Sequence, residues 1–281
     1  MWRADQEWHI DSNIGVGCRV KKMTDTQLVI PRPANPPCPT AIMPLQQSKS
    51  GGSGAFLVRA DDDRRYWCKC LDNPQGPRVP INEQIVGRLG SYLEAAVCEV
   101  SLIRIPPELE GWDYRPGRKL VPGYAHGSRA LPNAIETRSM NHPHDDQNPT
   151  RMTSLKILAD LCWAGDCQWL YAPGQENSYY SHDHGHFFPS GPNWTIDSLR
   201  ANSADQPSAY PGSLYVPDVV TAFADKLDRM TALDIAGVLA GIPEDWPVTN
   251  EELEEMVLYL DRRRSRVVQR LRSTSNVGVS Q

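Results

Sequence analysis

The feature that most limits what this chain can fold into is a set of charged residues, each standing on a different local background. Lys69 lies inside the strand-like run Arg65-Tyr66-Trp67-Cys68-Lys69-Cys70. Side chains alternate along a strand, so Lys69 points away from Cys68 and Cys70. A lysine between apolar neighbours on a central strand needs an anion. Glu83 opens a run in which Ile85, Val86, Leu89 and Leu93 recur at helical spacing. Asp166 follows the apolar run Leu155 to Cys162 by way of Trp163-Ala164-Gly165. Asp183 stands in Ser181-His182-Asp183-His184-Gly185-His186, at the expected end of a strand.

Ahead of these comes Ser48-Lys49-Ser50-Gly51-Gly52-Ser53-Gly54, directly before the strand-like Ala55-Phe56-Leu57-Val58. Backbone N–H groups of Gly51, Gly52, Ser53 and Gly54 can approach phosphates with no side chain in the way. The loop lacks the Lys-Ser/Thr ending of a Walker A loop, which disfavours a P-loop NTPase. Each part has an ordinary reading when taken alone: a surface turn, a solvated lysine, a capping glutamate, a turn aspartate. Their order is the one phosphoryl transfer uses: glycine loop, strand lysine, helix glutamate, then two aspartates. In that order Lys69 and Glu83 can hold nucleotide phosphates. Asp166 can take or orient a hydroxyl proton. Asp183, before a glycine, suits Mg²⁺, a hard ion that favours oxygen ligands.

The remaining pattern is coarser. Residues 31–45 are proline-rich and read as irregular; residues 55–70 read as a hairpin turning at Asp61-Asp62-Asp63. A helix is expected from Ile81 or Asn82 to about Ala95, then an apolar strand from Val97 to Ile105 connecting two lobes. Residues 107–150 show little periodicity and read as loop. A buried helix is expected over Ser154 to Cys162, and two strands, around Trp169-Leu170-Tyr171 and Tyr179 to Asp183, flank Pro173-Gly174. Residues 189–215 read as loop, and Val216 to about Arg272 as helical, with Asp218, Thr231 and a Thr249/Glu252 capping box as start signals. The tail, 273–281, is expected to be disordered.

Composition sets the outer limits. The chain has 281 residues, 40% hydrophobic and 22% charged, an ordinary globular mix long enough for two lobes. A net charge of -5 argues against non-specific nucleic-acid binding. No stretch reads as a signal peptide or as a transmembrane helix, and the odd count of seven cysteines fits a reducing cytoplasm. A metal-binding alternative rests on Cys68 and Cys70 with the histidines, as a zinc site, or on His182, His184 and His186, which alternation would set on one strand face, as a transition-metal site.

Taken together, the segments resemble the HipA-like kinase family, in particular its stand-alone, shorter members. The resemblance lies in Gly51 to Val58, Tyr66 to Cys70, Asn82 to Leu89, Gly127-Ser128, Asp160 to Asp166 and His182 to Phe187. It continues in the C-terminal helices, with Ile242 to Trp246 and Leu260 to Arg263, and so covers roughly 45–272. It implies a two-lobed α+β, protein-kinase-like fold, with a nucleotide-binding lobe over 1–105 and a helical catalytic lobe over 106–281. It implies a serine/threonine kinase that uses ATP and Mg²⁺ and acts on a protein substrate. Lys69 would contact the ATP phosphates and pair with Glu83, Asp166 would be the catalytic aspartate and Asp183 the metal aspartate. The family places an asparagine shortly after the catalytic aspartate as a second metal ligand; here Gln168 is the nearest substitute. That departure leaves a weak kinase, or a pseudokinase acting as a nucleotide- or partner-binding module, as the alternative. Relatives also autophosphorylate a serine in the glycine loop, which points to Ser50 and Ser53. An antitoxin-like or regulatory partner would be a separate chain.

Overall fold

The computed structural model describes residues 22–24, 27–47, 52, 54–139, 141–166, 168–208 and 216–277. A short antiparallel pair, β1 (Lys22–Thr24) and β2 (Gln27–Leu28), leads into a strap that joins the two halves of the molecule. Ile30 enters the helical core, and Arg32 donates to the carbonyls of Pro243, Glu244, Trp246 and Val248.

The strap delivers the chain to β3 (Ala41–Gln47), where the proline content had read as irregular. Pro44 is tolerated because β3 is an edge strand with a register shift at that point. Next come β4 (Phe56–Ala60) and β5 (Arg65–Lys69), the expected hairpin. Helix α1 (Val79–Tyr92) starts before the expected Ile81 or Asn82; Pro80 fits the first turn, where its missing N–H costs nothing. It ends at Tyr92 rather than near Ala95.

Beyond α1 the sequence reading is corrected. The strand expected to connect two lobes, β6 (Val100–Ile105), is an edge of the main sheet. The supposed loop over 107–150 contains the hairpin β7 (Asp113–Arg115) and β8 (Arg118–Lys119), then β9 (Gly123–Arg129) and β10 (Ile135–Thr137). Strand β9 escaped notice because a centre strand of Gly, Ala and His carries no β-branched signal. The sheet is antiparallel in the order β3-β4-β5-β9-β6, so it runs on through Arg129, past the boundary read at residue 105.

Strand alternation gives this sheet two buried faces. Phe56, Val58, Ala60, Tyr66 and Cys68 enter one cluster with Tyr114 of β7 and Leu120 just after β8. The opposite face carries Lys69, Leu102 and His126 in one cross-strand row, and α1 packs there against β6 and β9.

The second half is helical around a small sheet. Helix α2 (Asn148–Cys162) extends the expected helix toward its N-terminus. Strands β11 (Gln168–Ala172) and β12 (Ser178–His182) form the expected hairpin, with β10 added along β11. Residues 189–215, read as loop, include α3 (Ile196–Ala201), capped reciprocally by Thr195 and Ser198. Helices α4 (Pro217–Arg229), α5 (Ala232–Leu239) and α6 (Asn250–Val277) follow. Thr231 caps α5 through a box with Asp234, and Thr249 and Glu252 form theirs before α6. Asp218 is not the cap of α4; Val216 holds that position and Asp218 sits in the first turn. Residues 273–277 of the supposed tail continue α6, and 278–281 lie outside the described residues. Helix α6 contacts α2, α3, α4 and α5, joining Leu155, Leu227, Leu239, Leu253, Met256 and Leu260 in one core. No helix among the described residues is long and apolar enough to cross a membrane.

Candidate active site

The site begins with the face on which β5 leaves Lys69. Tyr66 and Cys68 are committed to the opposite core, so the lysine ends under α1, only 7% exposed. A buried ammonium is costly unless paired. Lys69 Nζ donates to Glu83 Oε1 from the first turns of α1 and, at 2.6 Å, to Asp183 Oδ1 from just beyond β12. Burial works against the lysine's charge, but Glu83 and Asp183 outweigh it and hold its pKa above the usual value. Burial likewise opposes the Glu83 charge, and Lys69 overrides it, so Glu83 stays ionised far below the usual carboxylate range.

The second oxygen of Glu83 is fixed from another direction. The backbone N–H of His184 donates to Oε2 at 3.0 Å, which ties α1 to the residue after Asp183. His126 Nε2 lies 3.9 Å from the same oxygen. The Gln84 amide donates to Ser101 O at 2.7 Å and to His126 Nδ1 at 3.0 Å, so the ring carries its proton on Nε2, facing Glu83. Burial pushes the His126 pKa down to about 4, and the ring is neutral near pH 7.

The hairpin β11–β12 brings in the second acid. Gln168 pairs directly with His182, so Asp166 and Asp183 emerge at the same end of the hairpin. Gln168 Nε2 donates to Asp166 Oδ2 at 3.1 Å. Before them, α2 ends on Trp163 in the left-handed conformation, which turns the chain sharply toward Gly165. Gly165 cannot carry a side chain, because a Cβ there would lie 2.6 Å from His186 O. Gly185 is limited in the same way by Val79 at 2.8 Å. These two close approaches lock the Asp166 and Asp183 segments to each other and to α1.

Asp166, Gln168 and Asp183 line one cleft of about 600 Å³, together with Gly52 from the β3–β4 connection. Gly54 takes a left-handed φ of 61° and sits against Pro74 and Tyr114. Gly51 and Ser53, named with them in the sequence, lie outside the described residues, as does Ser50. The structure therefore brings Lys69, Glu83 and Asp183 into one ion-paired knot and sets Asp166, Gln168 and Gly52 around the adjoining space.

The histidine alternative is corrected. Strand β12 stops at His182, and Asp183 takes a left-handed φ of 58°, which ends the alternation. His184 Nε2 meets Ser181 Oγ at 2.9 Å, its ring edge rests on Phe187, and His186 lines the cleft. No group of three or more His, Cys, Asp or Glu among the described residues is placed to hold a metal ion, so the zinc reading of Cys68 and Cys70 has no partner set there. Two residues given no role in the sequence reading are central here: His126, and Asn82, whose side chain meets the backbone beyond Asp183. A polar residue one place before Glu83 on a buried helix face was the available signal for Asn82.

The chain resembles known proteins in part of its sequence and in its fold. The HipA-like kinase family matches residues 42–152, from β3 into α2. No curated protein matches the chain. Among solved structures the chain is similar to CtkA, a proinflammatory kinase of Helicobacter pylori, at 14% identity, covering 87% of this chain and 97% of that one, with a TM-score of 0.50. A Golgi casein kinase with manganese and ADP bound aligns at 10% identity over 85% of this chain and 74% of that one, with a TM-score of 0.40. The likeness to the Helicobacter kinase shows the fold: a protein-kinase-like order of β-sheet region followed by helical part.

Proposed function

We propose that this chain, a HipA-like kinase by its residues 42–152 and built on a protein-kinase-like fold, is an ATP-dependent phosphotransferase acting on a serine or threonine hydroxyl of a protein. The observation that carries the reading is the double grip of Lys69 on Glu83 and Asp183 at the wall of a cleft that also takes in Asp166.

In this reading Lys69, held by Glu83, contacts the nucleotide phosphates, and the Gly51–Gly54 loop offers N–H groups to them. Asp166 lies where an incoming hydroxyl can be oriented and its proton accepted. The hydroxyl oxygen bonds to the γ-phosphorus, the bond from that phosphorus to the bridging oxygen breaks, and ADP carries away the electron pair. Asp183, with the amide oxygen of Gln168, supplies oxygen donors, and the two acids outnumber the one lysine; that donor set fits a hard divalent cation such as Mg²⁺. When bound, the ion would offset the charge of the phosphates.

The test is radiolabelled phosphate transfer by wild type, Asp166→Ala and Asp183→Ala. Signal in wild type and loss in both variants supports the reading; equal signals in all three end it. A second reading has one observation behind it. Gln168 is the nearest substitute for the asparagine that the family places after its catalytic aspartate, and its amide nitrogen is spent on Asp166. A wild type that binds MgATP without transferring phosphate would select a nucleotide-binding module instead.

A further inference from the structure

The geometry points to Asn82 as a positioning residue that fixes the Asp183–Gly191 backbone and so shapes the divalent-cation site; this rests on the kinase reading. Asn82 is fully buried in the first turns of α1, one residue before Glu83. Its Nδ2 donates to Gly185 O at 2.8 Å, to Phe187 O at 3.2 Å and to Gly191 O at 3.3 Å. Its Oδ1 accepts from Trp194 Nε1 at 2.8 Å. One side chain thus gathers four groups from a single stretch that curls around it.

That stretch does not hold its shape through local preference. Asp183, Phe188, Ser190 and Gly191 have φ values of 58°, 70°, 68° and 58°, and three of the four carry a Cβ. Left-handed non-glycine residues persist only where the surroundings over-determine them. Glu83 contributes one bond, to the N–H of His184; Asn82 contributes the rest from the same helix. Trp194, which orients the amide, is itself pinned. The Arg78 guanidinium lies 4.4 Å over its ring, donates to its carbonyl at 2.8 Å, and pairs with Glu252 of α6.

The stretch touches both acids. Asp183 is its first residue. Phe187 bridges to Ala164, Phe188 N–H donates to Cys162 O at 3.0 Å, and His186 O fills the space over Gly165, next to Asp166. A polar side chain serving only to fill the core would not need three carbonyls of one loop. An aspartate at this position keeps the shape and loses every donor.

The experiment uses the full chain, with Mn²⁺ as the probe in the presence of saturating ADP. Free Mn²⁺ is read by electron paramagnetic resonance, beside ADP affinity in EDTA, melting temperature and hydrogen exchange over 183–191. Folded Asn82→Asp is expected to raise the Mn²⁺ midpoint about 10–100-fold, as loss of a supporting hydrogen-bond partner does. ADP affinity in EDTA stays at the wild-type value, and the 183–191 amides exchange faster. Trp194→Phe keeps the ring under Arg78, removes one bond to Asn82, and raises the midpoint roughly 2- to 10-fold. Folded Asn82→Asp with the wild-type midpoint overturns the inference. If that variant does not fold, an unchanged midpoint in Trp194→Phe overturns it and a raised one supports it. A wild type that binds no Mn²⁺ with ADP sinks the kinase reading itself, an outcome separate from an unshifted variant.

Discussion

Among the described residues, two of the buried cation–carboxylate clusters are built to opposite plans. In the helical half Arg263, fully buried, donates to the carboxylate and carbonyl of Asp160 and to the carbonyls of Leu161, Ser203 and Gln206. Arg270 adds a second cation on the same aspartate. Beside the cleft the ratio inverts: one lysine, Lys69, pairs with both Glu83 and Asp183. The first cluster closes on itself, with backbone carbonyls completing the guanidinium. The second carries surplus negative charge, with Asp183 at the wall of the cleft. Burial and charge alone therefore do not mark a site. A surplus of negative charge at a cleft wall is the difference here, because it leaves something for a cation to neutralise.

The contrast breaks most visibly at Arg263. Arg263→Met leaves carbonyls and part of Asp160 unanswered, and the loss is expected at about 3–5 kcal/mol of folding stability, read by urea unfolding. Phosphate transfer per folded molecule should stay at the wild-type level. At the other cluster the signs reverse. Asp183→Asn keeps the Lys69–Glu83 pair and removes the surplus charge, so the melting temperature holds or rises. Transfer should fall about 10²–10³-fold, the scale of losing one preorganised electrostatic partner. A marked loss of stability in Asp183→Asn, with transfer retained, would make the cleft cluster scaffold like the other.

The two clusters were unequally legible in the sequence. Lys69 and Glu83 could be read because both signals are local: alternation on a short strand and apolar spacing on the next helix. The strand end before Asp183 was equally local. His126 was not readable, because its place beside Lys69 depends on β9 returning between β5 and β6 after the inserted β7–β8 hairpin. The one-face reading of His182, His184 and His186 failed for a backbone reason, the left-handed turn at Asp183. The Arg263–Asp160 pair joins α6 to α2 across 103 residues, and nothing in either segment announces the other.

The dry setting of the cleft cluster gives it an acid sensitivity. Burial holds His126 at about 4, against about 6.5 for an exposed histidine. Glu83 opposes that shift, while Lys69, His184 and Arg88 add to it. Between those two pH values the unfolded chain binds a proton that the native state refuses, so stability falls as pH drops from about 6.5 to about 4, by up to roughly 3 kcal/mol. His182, also pushed down by burial, acts in the same direction. His126→Gln should flatten the slope of urea midpoints across that window without abolishing it. An unchanged slope would mean that burial does not hold the ring neutral.

The smallest expected effect sharpens the comparison by touching both clusters indirectly. Thr249 accepts from the Glu252 N–H at 3.1 Å, and Glu252 in turn holds Arg78, which lies over Trp194. In Thr249→Ala the N–H of residue 249 still donates to Glu252 Oε2, so the Arg78 pair keeps its anchor while α6 loses its cap. The cost should be about 1 kcal/mol of stability, seen as a lower urea midpoint, with phosphate transfer by the folded protein unchanged. Transfer that fell further than the folded fraction would show that the start of α6 reaches the Asp183 stretch through Arg78 and Trp194. The division between a closed scaffold and an open site would then run through α6 instead of around it.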